Sequence, residues 1–469
     1  MKFTQYYLEC LSQASYLIGD ETTGRAVVVD PRRDIDQYLD DANAAGLTIE
    51  LVIETHFHAD FLSGHLELAA ATGAEIGYSS VANTEFESRA LRDGEQISLG
   101  EVTLEIRHTP GHTPESLSIV VTERPGEAPY GVLTGDTLFI GDVGRPDLLA
   151  STGVTAEALA SQLHHSLHTQ LLTLPDPTRV YPAHGAGSSC GRQLSTETVS
   201  TIGEQRRTNQ ALQAPDEATF IALVTEGLPT APDYFGYDAA LNGMNRGLLD
   251  ESQPPRALGL DDLDDALAAG AILIDARSPE EFALGHLAGS INVGLGGRFA
   301  EFTGSVVPHH ADIVLLVDEG SEVEAKNRLG RIGFDRVIGH LEHPLDVMTR
   351  HPDRVERGSR LTVREFASRR SELDGVQLLD VRNPGEIAEG SIEGAIPAPL
   401  RQLGDHLDPL DQRDQLDPAA PTVVFCAGGY RSSIAASLLR RAGFVDVSDI
   451  LGGHGAWAIL DTEQPEASL

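Results

Sequence analysis

The run Glu54-Thr55-His56-Phe57-His58-Ala59-Asp60-Phe61-Leu62-Ser63-Gly64-His65 sets two imidazoles in an H-x-H pair just ahead of a carboxylate. Imidazole and carboxylate are borderline donors, and at this spacing they can meet one first-row metal ion within a short turn. Three later runs carry the same chemistry: Thr109-Pro110-Gly111-His112-Thr113, Thr134-Gly135-Asp136-Thr137 and Pro182-Ala183-His184-Gly185. Asp136 interrupts an apolar stretch from Val132 to Phe139, where a carboxylate is costly unless a cation meets it. A second chemistry lies far downstream in Cys426-Ala427-Gly428-Gly429-Tyr430-Arg431. Its glycines let backbone N–H groups curl around the sulfur, while Arg431 and the start of a helix favour an anion. Those surroundings suit a thiolate that carries a persulfide.

Each run has to be delivered by an element that ends beside it. Ile49–Ile53, Val102–Ile106 and the segment leading into Val180 read as strands that run out into the ligand-bearing loops. Tyr16–Asp20 and Ala26–Pro31 predict a hairpin, and Asp34–Ala45 a helix. Beyond His184 the pattern turns helical, then irregular, and reaches a linker at Glu251-Ser252-Gln253-Pro254-Pro255, so a first domain is expected over 1–253. Downstream, Leu273-Ile274-Asp275-Ala276-Arg277-Ser278-Pro279-Glu280-Glu281 returns 105 positions later as Leu378-Leu379-Asp380-Val381-Arg382-Asn383-Pro384-Gly385-Glu386. Duplication explains that repeat most simply and predicts domains over 256–350 and 358–466. Thr422–Phe425 reads as a strand ending in Cys426; its counterpart ends in Val317-Asp318-Glu319-Gly320 and has no cysteine.

Taken in order, H-x-H-x-D, T-P-G-H-T, G-D and P-A-H-G resemble the metallo-β-lactamase superfamily. That resemblance covers the first half of the chain and implies an αββα sandwich with metal held in strand-end loops. The two-metal hydrolases of the superfamily, such as glyoxalase II, carry H-x-H-x-D-H, whereas Phe61 stands here in place of the final histidine. The variant T-H-x-H-A-D-F-x-S-G-H resembles the persulfide dioxygenases instead. By that resemblance one Fe(II) per chain is implied on His56, His112 and Asp136. Two histidines and one carboxylate leave about three positions for sulfur and O2, which suits non-heme iron. His58, Asp60 and His184 are then expected to orient ligands or substrate, with Tyr181 donating a hydrogen bond towards the site. Arg145, in the loop Gly141–Asp147 that resembles one flanking the substrate groove, is expected either to meet a substrate carboxylate or to lock its own loop. Cys190, six positions after His184, is expected either to relay sulfur or to serve structurally.

Both repeats resemble rhodanese domains through D-x-R-x-P-x-E and G-x-x-x-G, so the implied fold class is α/β multidomain: the sandwich followed by two α/β rhodanese-like domains. Only the second copy is armed, with Cys426 and Arg431 as catalytic groups and Ala427, Gly428, Gly429 and Tyr430 completing the loop. Its C-x4-R spacing is one residue shorter than the phosphate-gripping C-x5-R loop, which points to sulfur.

Composition narrows the partners. The net charge is −37, with 34 basic against 71 acidic residues, and this opposes binding to nucleic acid or an anionic membrane. No apolar run approaches the ~20 residues of a transmembrane helix, the start lacks a signal-peptide pattern, and three scattered cysteines form no disulfide framework; a cytoplasmic protein is expected. The function expected from the resemblance is oxidation of a low-molecular-weight thiol persulfide by O2 to sulfite, followed by sulfur transfer from Cys426 giving thiosulfate. Relatives of this layout imply a homo-oligomer. Two rivals are a glyoxalase II-like thioester hydrolase with a sulfurtransferase domain and a sulfur carrier or sensor that does not oxidise.

Overall fold

Val, Ile and Leu recur through the first 200 residues in short runs, and in the computed structural model these pair into two six-stranded sheets. The structure describes residues 1–148, 154–192, 194–228, 231–232, 234–370, 375–407 and 416–463. The chain divides into two units, the first being Met1–Glu251 with Gly330–Gly333 and the second the rest of the described chain. The C-terminal end of the expected third domain, 464–466, lies outside the described residues.

In the first unit one sheet runs in order β1 (Lys2–Leu8), β2 (Gln13–Asp20), β3 (Arg25–Val29), β4 (Thr48–Ile53), β5 (Glu75–Ser79), β6 (Arg89–Leu91). The other contains β7 (Gln96–Ser98), β8 (Thr103–His108), β9 (Leu117–Thr122), β10 (Gly131–Gly135), β11 (Arg179–Pro182) and β12 (Ser200–Thr201), again in sequence order. Side chains alternate across a strand, so every second residue of each sheet faces the other. Tyr16, Ile18, Val27, Val29, Leu51 and Ile53 thereby share one buried cluster with Leu104, Ile106, Leu117, Ile119, Val121 and Leu133. The intervening residues face outward under helices. Tyr38 and Ala42 of helix Asp36–Ala44 cover Val28 and Val52, and Leu163 of helix Ala156–Ser166 covers Val132 and Val180. This is the αββα sandwich.

The second unit contains two parallel five-stranded sheets with one topology. The first runs β13 (Ala257–Leu258), β18 (Val337–Leu341), β17 (Ile313–Leu316), β14 (Ile272–Asp275), β16 (Ile291–Asn292), and β15 (His286–Leu287) pairs separately with β19 (Val355–Glu356). The second runs β20 (Ser359–Leu361), β24 (Val447–Ile450), β23 (Thr422–Phe425), β21 (Gln377–Asp380), β22 (Ile396–Pro397). Matching strand order is what a duplication leaves. The shared motif has structural uses in both copies. Arg277 folds back on buried Asp275 at 3.0 Å, as Arg382 does on Asp380 at 2.9 Å. Glu281 and Glu386 accept the backbone N–H of Ser278 and Asn383, capping the helices that begin at Pro279 and Pro384. No helix of the described residues is long and apolar enough to cross a membrane.

Candidate functional site

Strand β4 runs out at Ile53, and the loop that follows turns His56 inward at 1% exposure. Its ring orientation is set from behind. Thr55 Oγ1 donates to Asp30 Oδ2 at 2.9 Å, so with its only proton used it accepts from His56 Nδ1, also at 2.9 Å. Asp30 in turn accepts the Thr55 N–H at 2.7 Å and holds a left-handed backbone, φ +52°, to do so. His112, from the loop after β8, is fixed the same way: its Nδ1 lies 2.9 Å from the carbonyl oxygen of Arg145, which can only accept. Both rings therefore carry their proton on Nδ1 and present an Nε2 lone pair.

Those lone pairs converge on Asp136, just past β10. Asp136 Oδ2 lies 3.7 Å from His56 Nε2 and 3.5 Å from His112 Nε2. Asp136 Oδ2 and His56 Nε2 are buried and have no hydrogen-bond partner. Three converging donors, two of them orphaned, fit a metal ion, and His56, His112 and Asp136 all lie within ligand reach of one another. Burial alone would raise the Asp136 carboxyl and lower His56. The imidazoles of His184, His56 and His112 instead hold Asp136 well below the usual carboxylate range, while burial, reinforced by His58, keeps His56 neutral. Neutral imidazole and ionised carboxylate are the forms a metal binds.

Phe61 decides what becomes of a second metal position. It is fully buried, with its ring centroid 4.3 Å from that of His58 and 6.4 Å from that of His184. His184 sits between carboxylates, Nδ1 2.7 Å from Asp136 Oδ1 and Nε2 2.8 Å from Asp60 Oδ2. Burial disfavours its charged form, but Asp136 and Asp60 outweigh that and push His184 well above its ordinary value. His58 turns the other way, towards Asp30 Oδ1 at 3.1 Å and Glu54 Oε2 at 3.7 Å, and His65 Nδ1 lies 3.3 Å from Glu54 Oε1. His58, Asp60 and His184 also lie within ligand reach of one another, and His58 Nδ1 and Asp60 Oδ1 are buried without a hydrogen-bond partner among the described residues.

Gly144 permits this packing. A Cβ there would lie 1.9 Å from the Asp136 carbonyl oxygen and 3.1 Å from His112 Nδ1. Gly144→Ala is expected to weaken metal binding about 10–100-fold, the range for losing an outer partner of a ligand; competitive chelation followed by metal analysis checks it.

Three expected residues behave differently from one another. Cys190 is buried, and its sulfur lies within ligand reach of Asp136 and His184; burial, then the Asp60 and Asp136 carboxylates, push its thiol pKa up. Arg145 is 2% exposed, and its guanidinium forms a two-pronged pair with Asp147, both contacts 2.7 Å. Its N–H donates to the Cys190 carbonyl at 3.0 Å, so it locks the loop and its charge is already matched. Tyr181 is a correction. Alternation along β11 puts it between the sheets, where it packs on Phe3 with centroids 4.7 Å apart and its hydroxyl reaches Tyr130 at 3.5 Å, not the metal ligands.

In the second unit Cys426 ends β23 and is 1% exposed. The Gly429 N–H points at its sulfur from 3.0 Å, and Ser432 Oγ stands 3.7 Å away. Gly429 adopts φ +108°, which lets the loop curl, and helix Tyr430–Arg441 begins there. The carbonyls of Cys426 and Ala427 are turned outward onto the N–H groups of His454 and Gly455, at 2.7 and 3.1 Å. Arg431 is held by Glu386 through contacts of 2.6 and 2.8 Å, and Cys426 adds to the groups that raise its pKa against burial. The cysteine-free copy braces this loop. Tyr430 donates its hydroxyl proton to the Gly294 carbonyl at 2.5 Å, and Gly297 leaves room for the ring: a Cβ there would lie 2.4 Å from it. Ser433 donates to Asn292 at 2.6 Å and Arg401 pairs with Glu301 at 2.9 Å.

The sequence motifs do not announce the cavity above His112 or Glu115 within it; the one signal is a carboxylate three positions after His112. Comparison with known proteins bears on the whole arrangement. Residues 8–184 match the metallo-beta-lactamase superfamily, and residues 259–343 and 362–460 each match the rhodanese-like domain. The mitochondrial persulfide dioxygenase of Homo sapiens is 31% identical over 202 residues, 42% of this chain and 70% of that protein. The cytoplasmic hydroxyacylglutathione hydrolase of Arabidopsis thaliana is 34% identical over 182 residues, 38% of this chain and 66% of that protein. The crystal structure of a metallo-beta-lactamase from Staphylococcus aureus superposes with a TM-score of 0.67 at 34% identity, over 73% of this chain and 99% of that one. Other curated relatives extend further, and the chain spans about half of their length, 52% in the beta-lactamase hydrolase-like proteins of Xylella fastidiosa. The chain belongs to the metallo-β-lactamase superfamily, in the persulfide dioxygenase-like family that joins this fold to tandem rhodanese domains.

Proposed function

We propose that the protein oxidises a low-molecular-weight thiol persulfide with O2 on a single iron and passes sulfur through Cys426. The observation that supports this best is the division of labour around Asp136. Two imidazole nitrogens and one carboxylate oxygen lie within ligand reach of one another, while the apolar Phe61 ring packs beside His58 and His184 of the neighbouring set. Fe(II) bound there would bring O2 and a thiolate-type sulfur into contact, the chemistry non-heme iron offers on such a ligand face.

The overall change is RSSH + O2 + H2O → RSH + SO3²⁻ + 2H⁺, with the terminal sulfur oxidised and O2 reduced. His56 and His112 keep their Nδ1 protons on Thr55 and Arg145 throughout, which fixes their rings. His184 bridges Asp60 and Asp136 through its two ring nitrogens. In the second unit a further persulfide loads the cysteine, Cys–S⁻ + RSSH → Cys–S–S⁻ + RSH, and sulfite attacks the outer sulfur of that Cys426 persulfide: Cys–S–S⁻ + SO3²⁻ → Cys–S⁻ + S2O3²⁻. The Gly429 N–H and the helix start stabilise the sulfur anion before and after that step.

The test is oxygen uptake by anaerobically iron-loaded protein given glutathione, coenzyme A or cysteine persulfide, with sulfite and thiosulfate quantified. About one iron per chain and sulfur-dependent uptake are expected. Two zinc ions per chain with thioester hydrolysis would establish the hydrolase that the Arabidopsis relative's name describes; bound iron with persulfide binding but no uptake would leave a carrier.

A further inference from the structure

A cavity of about 220 Å³ opens beside His112, walled by Phe57, Leu148, Phe235 and Ala239, with His112, Thr113 and Glu115 as polar members. Among the described residues no lysine or arginine lines it. Glu115 is 8% exposed and stands on the turn 113–116, closed by the Ser116 N–H on the Thr113 carbonyl. One carboxylate oxygen accepts the Phe57 N–H at 3.1 Å. Among the described residues no basic side chain pairs with it. Holding the Phe57 N–H requires an acceptor but not a charge, and neither carboxyl oxygen is a buried atom left without a partner, so the group can be reached from the cavity it lines.

We propose that Glu115 binds the ammonium group of the substrate, so that the preferred persulfides are those of β-aminothiols with the amine free, cysteine itself or a conjugate that leaves its amine unacylated. This rests on the reading that a thiol persulfide is the substrate. In the persulfide of a β-aminothiol the nitrogen is three bonds from the inner sulfur and four from the reacting terminal sulfur, so a terminal sulfur seated on the His112 side keeps its ammonium within the cavity that Glu115 also lines. The apolar wall accommodates the intervening methylene. A thiol whose amine is acylated, as in glutathione or pantetheine, leaves Glu115 without a partner, and added carboxylates meet it with like charge. The ion pair forms away from bulk water, where it discriminates more strongly than at a surface.

The experiment compares cysteine persulfide with N-acetylcysteine persulfide, which differ at the nitrogen. Oxygen uptake by iron-loaded wild type should favour the free amine by ~10-fold or more in kcat/KM, since a site built for a polar group rejects an analogue lacking it. In Glu115→Gln, which keeps an acceptor for the Phe57 N–H, that ratio should fall to about 2 or less. Anaerobic calorimetric titration with L-cysteine and N-acetylcysteine gives the same comparison without turnover. Equal affinity in wild type, or a preference that survives in Glu115→Gln, overturns the assignment; the wild-type comparison decides even if the variant does not fold. A calorimetric preference with no oxygen uptake from either persulfide would remove the oxidation while keeping the Glu115 assignment.

Discussion

Asp136→Asn should leave the first unit folded and unable to hold metal. The Asp136 carboxylate faces His56, His112 and His184 at once, so replacing one oxygen by an NH2 removes the anion on which all three imidazoles converge. The change is nearly isosteric, which separates it from a packing defect. Metal content should drop below about a tenth of an ion per chain, and oxygen uptake by more than ~100-fold, beyond what losing an outer partner costs. Plasma mass spectrometry on protein reloaded anaerobically, with uptake measured on the same sample, checks both numbers. Retention of one iron with full activity would move the metal to the neighbouring set of His58, Asp60 and His184.

Cys426→Ser should separate the two chemistries. A serine hydroxyl fills the same pocket beneath the Gly429 N–H but cannot carry a sulfane sulfur, so thiosulfate formation should fall by ~10³-fold or more, as for removal of an essential nucleophile. Oxygen uptake should continue, with sulfite accumulating in place of thiosulfate. Ion chromatography of the two anions during turnover reads the outcome directly. If thiosulfate appears at the wild-type rate, Cys426 has no part in forming it.

That His56, His112 and Asp136 come together was legible in the sequence because strand-to-loop transitions carry short, ordered motifs, and each of the three sits just beyond the end of a strand. The duplication was legible too, since both copies keep the Asp–Arg fork and the helix cap that the fold needs. Tyr181 was misread for a simple reason. It lies in β11 one position before the strand ends, and alternation sends Val180 outward and Tyr181 into the core, a pattern the neighbouring P-A-H-G motif masks. Arg145 had two readings, a substrate contact or a loop lock, because a sequence does not show whether so short a loop folds back on itself; its pair with Asp147, two positions away, favours the lock. The Asp30, Glu54, His58 and His65 cluster depends on a left-handed backbone at Asp30 that no residue type announces. Glu115 was hidden by composition: among 71 acidic residues, one more carries no signal until a cavity surrounds it.

The fit of the Tyr430 ring over Gly297 gives the cysteine-free copy a lasting hold on its twin. A gene that lost residues 256–350 would lose one wall of the mould in which the sulfur-bearing loop is cast. A gene that filled position 297 with a side chain would have to rebuild position 430 in the same lineage. The duplicate is therefore more than a spacer: it forms part of the mould around the sulfur-bearing loop.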